Sequence, residues 1–101
     1  MSNAKPTRSP NADLVTAARA HGDQILKFYD DLDEDNPIVL LDFQRLRLHS
    51  YPFEEYKATL RAESQLNLKK EYDRAVAKNK VLVVVWDSTT RRLATTRIRR
   101  K

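Results

Sequence analysis

The chain has no cysteine. That excludes disulfides, zinc–thiolate sites, iron–sulfur clusters and a cysteine nucleophile. It has a single glycine, Gly22, and so no glycine-rich phosphate loop. Its longest apolar run, Val81 to Trp86, falls far below the ~18 residues of a membrane span. No apolar N-terminal stretch precedes a small-residue cleavage site, so a cytoplasmic location and no membrane partner are expected. Histidine is scarce as well. His21 and His49 belong to no HExxH or other spaced ligand set, so neither a metal site nor a cofactor is expected.

What remains is a chain of 101 residues, enough for one domain with a modest core and no large internal cavity. Hydrophobic residues at 41% and charged residues at 33% fit a folded, well-solvated protein rather than a disordered one. Residues 1–10, with Pro6 and Pro10, read as a disordered lead, and 11–101 as a single α+β domain.

Charge is unevenly spread. Residues 1–36 carry four Lys/Arg against seven Asp/Glu, residues 37–78 eight against six, and residues 79–101 seven against one. The chain is therefore dipolar, acidic at its start and basic at its end. Such an end meets a polyanion or the acidic part of another copy.

Asn11 is a helix N-cap with Asp13 favourable in the first turn. Leu14, Ala18, His21, Ile25, Phe28 and Leu32 recur at helical spacing, and Gly22 is the place for a bend or break. The acids of 30–35 and then Asn36-Pro37 end the helix. Ile38 to Leu41 reads as a buried strand. Val39, Leu41 and Phe43 share one parity while Leu46 and Leu48 take the other. A turn near residues 43–45 resolves this into a hairpin of about 38–42 and 46–50; one bulged strand is the alternative.

Pro52 opens the next helix. Phe53, Tyr56 and Leu60 form one apolar stripe, and Leu68, Tyr72, Ala75 and Val76 another. A kink near 62–65, or a second helix capped by Ser64, is expected between them. Val81 to Trp86 is apolar on both parities, as a central strand covered on both faces would be. Asp87 to Thr90 forms a turn. Leu93 to Ile98 then returns with Ala94, Thr96 and Ile98 on one face and Thr95, Arg97 and Arg99 on the other.

The two strand regions resemble each other. Val39-Leu40-Leu41-Asp42 with a later Arg45-Leu46 compares with Val84-Val85-Trp86-Asp87 with a later Arg92-Leu93. The architecture expected is an N-terminal helix followed by β-β-α-β-β: one four-stranded antiparallel sheet with helices on one face.

For chemistry, Asp42 and Asp87 occupy matching strand ends. Two converging carboxylates would raise one another's pKa or hold Mg²⁺, whereas a turn-opening Asp merely accepts nearby backbone N–H groups. The acids of 30–35 lack the glycine and spaced glutamate of an EF-hand loop. They read as a solvated linker, or as a dock for the basic end of another copy. No nucleophile–base pair stands out, so an enzyme is not expected.

The strongest feature is Arg91, Arg92, Arg97, Arg99, Arg100 and Lys101, with no acid among residues 91–101. These side chains could follow phosphates, protect a sheet edge from unwanted pairing, or bind the acidic start of the chain. The reading is a small non-catalytic protein-interaction or regulatory/accessory module that self-associates, partnered by a protein or a second copy of itself. The alternative is a nucleic-acid-binding regulator using Arg91–Lys101.

Overall fold

A computed structural model describes residues 11–100; the expected lead at 1–10 and the cation Lys101 lie outside the described residues. Two nine-residue helices come first, α1 (Ala12–Ala20) and α2 (Gly22–Asp30). The break falls at His21, beside the one glycine. A hairpin follows, β1 (Ile38–Asp42) and β2 (Arg47–Tyr51). Then come α3 (Phe53–Ala58), α4 (Ala62–Ala77), β3 (Lys80–Asp87) and β4 (Arg92–Arg99). The order across the sheet is β2-β1-β3-β4.

The fold is α+β with a four-stranded sheet, but that sheet is mixed. β1 and β2 pair antiparallel, as do β3 and β4, whereas β1 and β3 pair parallel. An all-antiparallel sheet is therefore the wrong expectation, and the helical segment shows why. One continuous helix after β2 would deliver the chain to the far end of the sheet, and β3 would run back against β1. Instead the helix breaks at residues 59–61 and folds on itself. Phe53 of α3 stacks on Tyr72 of α4 with ring centroids 4.1 Å apart. Tyr56 and Leu60 line one cleft with Ser64 and Leu68. That extra reversal brings β3 in from the end where β1 begins. The break also precedes the expected one: Arg61 is the N-cap residue of α4, and Ser64 lies inside the helix.

Helices cover both faces of the sheet, not one. Leu14, Ala18 and Ile25 of α1 and α2 are fully buried against Val39 and Leu41 of β1 and Val81, Val83 and Val85 of β3. On the opposite face Leu68 and Ala75 of α4 pack on Ile38, Leu82 and Val84. The continuous apolar runs of β1 and β3 have this meaning: each central strand has two buried faces. One-sided coverage would leave Ile38, Leu82 and Val84 in water.

The hairpin resemblance is real, but its register differs from the sequence comparison. Both turns have four residues, 43–46 and 88–91. In both, the strand ends in Asp and the last turn residue takes a left-handed conformation: Leu46 at φ 55° and Arg91 at φ 59°. The return begins with the Arg that pairs with that Asp, Arg47 with Asp42 and Arg92 with Asp87. Arg47-Leu48, rather than Arg45-Leu46, is the counterpart of Arg92-Leu93. β2 accordingly starts at Arg47, one residue later than expected.

Candidate functional site

β4 is an edge strand, and its arginines divide by parity. Ala94 and Thr96 are buried on the α1 side, while Leu93, Thr95, Arg97 and Arg99 are exposed on the α4 side. The expected two-face pattern of β4 holds.

Arg92 opens β4 on the α1 side. Its Nη1 and Nη2 donate to both carboxylate oxygens of Asp13 at 2.8 Å each, a bidentate pair. Nη2 also reaches Asp87 Oδ2 at 3.3 Å, and Nε donates to Thr90 Oγ1 at 2.9 Å. Arg97 pairs with Glu71 of α4 at 3.6 Å. Arg100 pairs with Asp30 at 3.8 Å and lies 5.2 Å from the centroid of the Tyr29 ring. Arg91 and Arg99 make no ion pair among the described residues. Asp13 and Asp30 belong to the acidic start of the chain, so two of these arginines pair with it.

Asp87 is the organising group at this end of the sheet and is 2% exposed. It accepts from Gln44 Nε2 at 2.8 Å, the Thr90 hydroxyl at 2.8 Å and the Thr89 N–H at 3.0 Å. The Gln44 bond, followed by those of Thr90 and Thr89, outweighs burial and brings its pKa down to about 2. The Arg92 hydrogen bonds hold Asp13 below its usual range and raise Arg92 in return.

Asp42 has a simpler task. Its Oδ1 accepts the N–H of Gln44 at 3.0 Å and of Arg45 at 3.2 Å. Asp42 is level with Trp86 on β3, and Asp87, one residue on, faces the other side of the sheet. The two carboxylates share Gln44 as a partner, and each opens its own turn. Nothing in the sequence marked Gln44 for this bridge. Asn11 was legible as a cap, yet its side chain donates instead to the Leu93 carbonyl at 3.2 Å and fastens α1 to β4.

The histidines stay apart. His21 donates from Nδ1 to the Ala17 carbonyl at 2.9 Å, at the joint between α1 and α2. His49 is exposed on β2. Among the described residues no three His, Asp or Glu side chains could hold a metal ion. No described helix is long and apolar enough to cross a membrane.

The α4 face is only partly roofed. A helix is about 10 Å across, whereas four strands at ~4.8 Å spacing are nearly twice as wide. Clefts remain on both sides of Tyr56. One, about 200 Å³, is lined by Leu60, Leu68, Val84 and Leu93. The other, about 270 Å³, is lined by Leu40, Tyr51, Glu55 and Thr59. Each is smaller than the roughly 300–1,000 Å³ of small-molecule sites and nearer the size of one or two side chains. Leu93 and Tyr51, at the two edges, are 44% and 37% exposed.

No protein-family model matches the chain, and no curated protein or solved structure is similar enough to count as a match. The reading of function therefore rests on the geometry above.

Proposed function

We propose that the protein is a small, cytoplasmic, non-catalytic interaction module of the regulatory or accessory kind, and that it self-associates. The observation that carries this reading is what the arginines of β4, and Arg100 just after it, bind. Arg92, Arg97 and Arg100 each meet a protein carboxylate, from Asp13, Glu71 and Asp30. A strand that binds carboxylates within its own fold is chemically suited to bind them on a second chain. Two open sheet edges, β2 and β4, and side-chain-sized clefts on the α4 face favour a protein partner over a small molecule.

A polyanion is the second reading, favoured by Arg91 and Arg99, which make no ion pair among the described residues. Calorimetry of the pure protein separates the two. Injecting concentrated protein into buffer at ~0.15 M salt gives dissociation heats that shrink with successive injections if the module self-associates. Injecting single-stranded and duplex oligonucleotides gives no heat. The reverse pattern, with oligonucleotide heat abolished by Arg97→Ala plus Arg99→Ala, overturns the proposal in favour of nucleic acid.

A further inference from the structure

This inference rests on the reading of the chain as a self-associating module and names the surface it uses. One end of the molecule gathers the acidic loop and a set of cations without pairing most of them. Arg100 N–H donates to the Asn79 carbonyl, and its guanidinium meets Asp30. The Tyr72 hydroxyl donates to the Asn36 carbonyl at 2.8 Å. Lys80 lies level with Arg99 across the β3–β4 ladder. These contacts place the loop of residues 30–36, the last turn of α4, the start of β3 and the end of β4 together.

On that end, Asp33, Glu34 and Asp35 are exposed and make no ion pair among the described residues. Arg74, Lys78 and Arg99 are likewise exposed and make none. Helical spacing puts Arg74 and Lys78 on the flank of α4 that carries Glu71, the residue that pairs with β4 through Arg97. The cations therefore cluster on the β4 side of α4. Glu34 and Asp35 line a neighbouring cleft with Tyr29, Asp30, Asn36 and Arg100, on the flank of this end where α2 meets β1. Val76, 42% exposed, shares a small cleft with Tyr29, Asn36 and Lys80 and so adds an apolar contact on the acidic side of α4, about half a turn from Arg74 and Lys78.

Two patches of opposite sign on one surface are self-complementary. A two-fold axis passing between them lays each patch on its opposite in the partner. We infer that this end is a homodimer interface, in which Asp33–Asp35 of one copy meet Arg74, Lys78 and Arg99 of the second. A nucleic acid fits it poorly, because three unpaired carboxylates stand beside the cations and repel phosphates.

The test is a charge swap followed by light scattering. One variant carries Asp33→Lys, Glu34→Lys and Asp35→Lys; the other carries Arg74→Glu, Lys78→Glu and Arg99→Glu. All six residues are exposed, and far-UV circular dichroism checks the fold. Each variant alone opposes like charges at both symmetric contacts and dimerises at least ~10-fold more weakly than the native chain. An equimolar mixture restores opposite charges at both contacts and recovers the native dimer affinity. Should the glutamates disturb the end of α4, Arg74→Gln, Lys78→Gln and Arg99→Gln remove the same pairs and weaken the dimer less. A native dimer untouched by either variant overturns the interface and leaves self-association standing. Weakened variants that do not recover on mixing also overturn it. A native chain that is monomeric throughout removes both.

Discussion

Leu14→Ala in α1 and Leu68→Ala in α4 test the layered architecture from its two sides. Leu14 is fully buried and Leu68 is 7% exposed, and they belong to different apolar clusters on opposite faces of the sheet. Truncating a buried leucine costs about 2–5 kcal/mol, the spread reflecting how far each site collapses. At about 0.05–0.15 kcal/mol per residue the whole domain is stable by roughly 5–15 kcal/mol. Each substitution therefore removes a large share of it and lowers Tm by roughly 10–30 °C. With no shared cluster, the two costs add to within ~0.5 kcal/mol, and the double variant sits near or below the folding threshold. Leu66→Ala is the control: Leu66 is 67% exposed, so its cost stays within ~0.5 kcal/mol. Urea melts followed by the fluorescence of Trp86, the single tryptophan, and by far-UV circular dichroism read all four variants. If either Leu14→Ala or Leu68→Ala behaves like the control, the helix carrying it does not pack on the sheet and the reasoning fails.

Other consequences follow from single contacts. Gly22→Ala is tolerated, because a Cβ there stands 3.8 Å from Ile98 Cγ2, an ordinary contact, and Gly22 has no positive φ. Lost backbone freedom in the unfolded chain then raises stability by about 0.5–1 kcal/mol, and a lower urea midpoint would contradict this. Asp87 titrates at about 2 folded against 3.8 for a free carboxyl. Between those values the unfolded chain binds more protons, so stability present above pH ~4 is lost as pH falls toward 2. Urea midpoints of Asp87→Asn must fall less across that window than those of the native chain. Gln44→Ala removes the largest influence lowering the Asp87 pKa, and carbon-detected NMR titration should show it moving up toward 3.8. An unmoved Asp87 would mean that the bridge between the turns is not formed.

Parts of this fold were legible because local pattern and burial agree. The stripe Leu14, Ala18, Ile25 became the buried face of α1 and α2, and the apolar run of β3 became a strand covered twice. The direction of β3 was not legible. It depends on whether Thr59, Leu60 and Arg61 continue a helix or turn it back, and neither proline nor glycine marks that break. Turn chemistry hid the hairpin register in the same way. Left-handed residues are usually Gly or Asn, whereas here the hairpins use Leu46 and Arg91. The arginine-rich strand was visible from composition alone. Binding to the acidic start of the chain was one open reading, and Asp13 and Asp30 fit it; which acids pair, and the tie of Arg97 to Glu71, were not legible, because they join residues far apart in sequence through tertiary packing.

Self-association shows in the mass of the protein in solution. Sedimentation equilibrium of the unaltered chain, loaded from micromolar to millimolar concentration at ~0.15 M salt, should give a mass rising from 11.8 kDa toward twice that value. A mass of 11.8 kDa at every loading would contradict it.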